Sequence, residues 1–253
     1  MSDLISLAVA QPGSGRPAEF SAYIARPEGE PKAGLIVIHE IWGLVDHIMA
    51  VADRFAAEGY LVVAPDLLSS VGVEGHVGLE LSAIMTSPDE KVRTEGQPRL
   101  RDAFAPTRVP EYGVWAVSAL RSCVDYLADQ AVIDGRIAVV GFCFGGSYSF
   151  ALAAADPRVR AAVPFYGTSP ELEDLAKITA PILAIYGEND PRLIDALPEV
   201  SSAMQAAGVD FSRQVYEGAG HAFFNDTNPH AYRPDAAADA WRRTLEFLDA
   251  RLV

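Results

Sequence analysis

Short apolar runs recur along this chain, and the segments between them have a different period. Residues 33–40 (AGLIVIHE), 59–67 (GYLVVAPDL), 135–142 (GRIAVVGF), 160–167 (RAAVPFYG) and 180–190 (APILAIYGEND) are nearly continuous in aliphatic residues, whereas 210–218 (DFSRQVYEG) alternates. A strand covered on both faces needs apolar residues at consecutive positions, as in a parallel sheet, and alternation suits an edge. Between the runs, Asp46 is placed to cap a helix whose Ile48, Val51, Ala52 and Phe55 share one face. Val114, Val117, Leu120, Val124 and Leu127 form a second stripe, and Ala237, Trp241, Thr244, Leu245, Leu248 and Leu252 a third. Strand–helix alternation throughout predicts a doubly wound, mostly parallel α/β sheet with helices on both faces, in three layers. No linker, repeat or low-complexity tract divides the chain, so a single domain over residues 1–253 is expected. Residues 69–111, rich in Gly, Pro and charge and weak in period, predict a lid-like excursion over a site.

The overall charge narrows the function. With 34 acidic against 20 basic residues, the formal net charge of −14 repels phosphate backbones, which excludes nucleic acid as a partner. No apolar run approaches the ~20 residues of a membrane helix. The opening MSDLISLAVAQPGSG lacks a basic segment and carries Asp3, unlike a secretory signal, so a cytoplasmic protein with no membrane partner is expected. The two cysteines, Cys123 and Cys143, are too few for a disulfide framework and are expected as free thiols. Cys123 falls beside Leu120 and Leu127 on a helical stripe and reads as core.

Cys143 is different. Gly141-Phe142-Cys143-Phe144-Gly145 follows a predicted strand and opens a predicted helix. In such a sharp turn side chains at the flanking glycines would collide with backbone, and the central side chain is pushed out at the helix N-terminus. The free N–H groups and dipole there favour a thiolate and an oxyanion formed beside it. A core cysteine at a tight bend would carry the same pattern; two partners decide between the readings. Asp190 follows the strand ending in YGEND, and His221 lies in the glycine-rich loop after the next strand. Nucleophile, acid, histidine is the chain order of α/β-hydrolases, with His221 taking the Cys143 proton and Asp190 orienting the imidazole.

With HEIWGL, APDL, GFCFGG, YGENDP and GAGHAFF in order, nearly the whole chain resembles the dienelactone hydrolase (carboxymethylenebutenolidase) family. The resemblance implies an α/β-hydrolase fold and a small ester or lactone substrate, hydrolysed through a Cys143–His221–Asp190 triad and a covalent thioester. It implies that Glu40 contacts and activates the resting thiol, and that the backbone N–H groups of Ile41 and Phe144 form the oxyanion hole. Trp42, Phe223 and Asn225 are the expected pocket residues. The family pattern H-x-F-x-R places an arginine for a substrate carboxylate where this chain has Asn225, and Asn cannot make that bidentate pair. Arg93, Arg99, Arg101 and Arg108 are the candidates for a second cleft arginine. The missing arginine motivates an alternative, a non-catalytic protein of this fold that binds a small molecule in the ancestral pocket.

No metal or cofactor is expected: HEIWG lacks a second histidine at metal spacing, and no Walker or dinucleotide fingerprint is present. His39, beside Glu40, reads as a hydrogen-bonded structural residue. No feature sets the oligomeric state.

Overall fold

The structure is a computed structural model and describes residues 2–13 and 15–253. Eight strands form one sheet: β1 (Ser2–Ala8), β2 (Glu19–Ala25), β3 (Ala33–Ile38), β4 (Tyr60–Pro65), β5 (Ile137–Phe142), β6 (Val159–Phe165), β7 (Ile182–Gly187) and β8 (Phe211–Tyr216). Their order is β1-β2-β4-β3-β5-β6-β7-β8. β2 runs against β1 and β4, and the other neighbouring pairs are parallel.

Every residue of β3, β4, β5 and β7 is buried, which is why these segments read as continuous apolar runs. β8, at the edge, exposes part of each face and so alternates. The mostly parallel α/β sheet is as the sequence predicts. β1 and β2 are additional: β1 is the outer edge strand and has no fully buried residue, so it presents no apolar run.

The helices are α1 (Asp46–Ala57), α2 (Gly75–Met85), α3 (Glu90–Phe104), α4 (Pro110–Ala128), α5 (Phe144–Ala155), α6 (Leu172–Leu175), α7 (Pro191–Ala206) and α8 (Pro234–Leu252). α1 and α8 meet through Phe55 and Trp241, whose rings lie 4.3 Å apart. α4 and α5 contact each other and pack on the central strands. Val45 is the N-cap residue of α1, and Asp46 is instead the first helical residue, where its charge still favours the dipole. Val114 faces solvent at 68% exposure. The buried stripe of α4 is Tyr112, Trp115, Ala119, Leu120, Cys123, Val124 and Leu127.

The excursion at 69–111 is helical. α2 buries Gly78 and Leu81, and α3 buries Leu100. With one large side chain buried in each, neither helix shows an apolar period. Pro98, inside α3, further disguises it. Gly78 holds α2 against the loop after β3: a Cβ there would lie 1.8 Å from the Trp42 carbonyl oxygen.

Candidate active site

Five strands that are consecutive in the sheet each deliver one polar side chain beyond their C-terminal ends. β3 leads to Glu40, β5 to Cys143, β6 to Tyr166, β7 to Asp190 and β8 to His221. Parallel strands end on the same side, so residues up to 181 apart in sequence converge on one edge.

The turn between β5 and α5 depends on contacts that tolerate no side chain. A Cβ on Gly141 would lie 2.1 Å from the Gly145 carbonyl oxygen, one on Gly145 2.3 Å from that of Ile38, and one on Gly146 2.4 Å from that of Phe165. Cys143 sits between them at φ 55°, ψ −109°, a region costly for a residue with a side chain. Its N–H donates to the Phe165 carbonyl at 3.0 Å, while Gly145 N–H donates to that of His39 at 3.1 Å. Tyr166 (φ 38°) and Ala222 (φ 61°) are likewise left-handed, so three of four such non-glycine residues described surround this edge.

The Cys143 side chain is half-buried. Burial, then the Glu40 carboxylate, push its thiol up to about 12; the N–H groups of Phe144 and Ile41, which face it, and the Arg192 charge pull the other way. The expected thiolate is therefore not the resting form, because desolvation and a neighbouring anion outweigh the helix N-terminus. Glu40 is buried, and desolvation raises its carboxyl to about 7. Asn225 Nδ2 donates to Glu40 Oε2 at 2.6 Å and the Tyr166 hydroxyl to Oε1 at 3.3 Å, which limits that rise.

His221 Nδ1 lies 2.5 Å from Asp190 Oδ2. Gly187 lets their two loops meet: a Cβ there would lie 2.6 Å from the carbonyl oxygens of Ala219 and Gly220. Asn189 N–H donates to the Ala219 carbonyl at 2.8 Å and pins the approach. Among the described residues no hydrogen bond joins the Cys143 sulfur to His221, so the expected triad row is made at its acid–imidazole link only. Both side chains open on one cavity of about 450 Å³, together with Glu40, Ile41 and Trp42.

Phe223 and Asn225, expected in the pocket wall, lie behind it. Phe223 is fully buried between Tyr166 and Tyr216, at ring distances of 5.8 and 5.2 Å. The Asn225 amide is committed to Glu40, and its Oδ1 accepts from Thr227 N–H (3.0 Å) and Oγ1 (2.6 Å). Of the candidate arginines, Arg101 and Arg108 line the cavity. Arg99 pairs with Glu80, and Arg93 donates to the Ser87 carbonyl at 2.5 Å beside a neighbouring cleft. His39 is structural, as expected: Nδ1 donates to the Glu40 carbonyl at 2.6 Å and Nε2 accepts from Leu67 N–H at 3.1 Å. Cys123 is fully buried. No group of three His, Cys, Asp or Glu side chains among the described residues is arranged to hold a metal ion, and no helix among them is long and apolar enough to cross a membrane.

Sequence reasoning did not single out Tyr166. Its aromatic residue before Gly167 resembles any strand end, and only its backbone conformation and its bond to Glu40 mark it.

The dienelactone hydrolase family model matches residues 20–252. A protein of Saccharolobus solfataricus, provisionally named carboxymethylenebutenolidase, is 34% identical over 247 residues, covering 91% of this chain and 94% of that protein. Protein usf of Aquifex pyrophilus is 33% identical over 241 residues, 91% of this chain and 93% of its own length. Among solved structures, a provisionally named dienelactone hydrolase of Klebsiella pneumoniae superposes with a TM-score of 0.77 at 27% identity, covering 98% of this chain and 99% of that one. With the fold, the family model and these relatives in agreement, the chain belongs to the dienelactone hydrolase family, a hydrolase of the α/β-hydrolase superfamily.

Proposed function

We propose that this hydrolase cleaves small esters or lactones through a covalent thioester on Cys143. One observation carries the reading: the Cys143 sulfur, at a strained strand–helix turn, faces the N–H groups of Ile41 and Phe144 and shares a cavity with the His221–Asp190 pair.

The substrate carbonyl oxygen takes the place between those two N–H groups, which stabilise the charge that develops on it. The thiol proton passes to Glu40, whose raised carboxyl suits it to accept and return a proton near neutral pH. The Sγ–C bond forms and the carbonyl pair moves to oxygen. When that pair returns, the bond to the leaving oxygen breaks, and this oxygen takes the proton that Glu40 had accepted. Water then adds to the thioester, giving its proton to His221, whose imidazolium Asp190 stabilises; the sulfur leaves and takes that proton from His221. Atoms and charges return to the starting state.

The test is turnover of p-nitrophenyl acetate by Cys143→Ala, with acid-quenched samples of the parent analysed by peptide mass. Loss of turnover together with an acyl adduct on the Cys143 peptide supports the reading. Undiminished turnover in the variant sinks it.

A further inference from the structure

We infer that the space between the Trp42 loop and α3 is an apolar subsite, which selects esters or lactones bearing a neutral alkyl or aryl group beside the reacting carbonyl. The inference rests on the cysteine hydrolase reading and adds a substrate class to it. Trp42, Met85, Leu100 and Phe104 line the cavity that holds Cys143. Leu100 is the buried large side chain of α3, and Phe104 meets Trp42 edge-on at 6.1 Å. Gly78 seats α2 directly on the Trp42 backbone, so this wall is built into the packing of the excursion.

Size and charge agree. Cavities of roughly 300–1,000 Å³ enclose ligands of drug size, well beyond a small lactone, and this one measures about 450 Å³. Of the charged groups that act on the sulfur, the Glu40 carboxylate acts more strongly than the exposed Arg192, His221 is held by Asp190, and the Asn225 amide that touches Glu40 is neutral and already committed. The cavity's arginines, Arg101 and Arg108, are both exposed, and Arg101 has Asp102 at 3.5 Å. A carboxylate close to the reacting carbon would meet Glu40 before it met either arginine, whereas an apolar group meets the four side chains of the wall.

Alkyl trifluoromethyl ketones test this, because each has one variable group and traps the nucleophile whichever side of the carbonyl that group takes. The thiol S–H adds across the C=O: an Sγ–C bond forms, the C–O π bond breaks, and the oxygen gains the thiol proton. Each methylene buried contributes about 0.8 kcal/mol, about fourfold, so burial of all four added methylenes is expected to tighten inhibition by about 250-fold from the methyl to the pentyl ketone. Leu100→Asn and Met85→Asn are both expected to flatten that gradient by about tenfold. Met85 is 46% exposed and tolerates the change should the Leu100 variant fail to fold. No gradient in the parent, with Cys143 still trapped, overturns the subsite and leaves the hydrolase reading intact. A ketone ending in a carboxylate that outbinds its neutral counterpart of equal length also overturns it. Absence of any adduct on Cys143 overturns both.

Discussion

Glu40 shows how one buried carboxyl ties stability to chemistry. Its folded-state pKa of about 7 lies above the ordinary value of 4.5 because burial disfavours its charge. The stability this group allows is full below its unfolded pKa and is lost as pH rises through 7. The shift corresponds to about 3 kcal/mol. Denaturant midpoints of the parent and Glu40→Gln, compared at pH 4 and pH 8, are expected to show the parent losing about that much relative to the variant. Parallel pH dependences would mean that Glu40 titrates normally. Asn225→Leu removes a donor that holds the carboxyl pKa down, so the rise of activity with pH is expected to move to higher pH. A pH–rate profile unmoved by this change would separate Glu40 from catalysis. The strand-end positions of Cys143, Asp190, His221 and Glu40 were legible in the sequence because each stands in a short motif at a strand end. Tyr166 was not, since its role depends on a left-handed backbone and a contact 126 positions away.

At the scale of elements, the excursion was only partly legible. Its length marked it as covering a site, but its two helices bury too little to leave a period. Their position is set by close backbone approach. Gly78→Ala puts a methyl group into the Trp42 carbonyl, so α2 has to move away. A loss of about 1–3 kcal/mol is expected from such overpacking, read as a lower melting temperature, with kcat/KM falling through the displaced Trp42 wall. Unchanged melting and kinetics would show that α2 shifts freely. The strands β3 to β7 were read within a few residues because burial on both faces demands apolar residues at every position. β1 escaped notice because an outer edge strand makes no such demand.

For the whole molecule, charge is the sequence property that acts at a distance. A formal net charge of −14 opposes the compact state, and salt screens it. Melting temperature is therefore expected to rise by about 2–4 °C for each kcal/mol of repulsion relieved between 10 and 300 mM NaCl. A flat or falling curve would show that the paired charges on the surface, such as Arg242 with Asp239 and Glu246, already balance the field.

By itself the sequence determined which segments become strands of a parallel sheet, because burial on both faces is written as local composition. It also determined which residues stand at the ends of those strands, where motif and strand end coincide. Only the tertiary structure decided which of these groups touch. It set Glu40 against Cys143, gave Asn225 to Glu40 in place of the pocket, and put Arg101 and Arg108 at the cavity. Those outcomes depend on distances between segments far apart in the chain and on the loss of water around them, neither of which any local run of residues encodes.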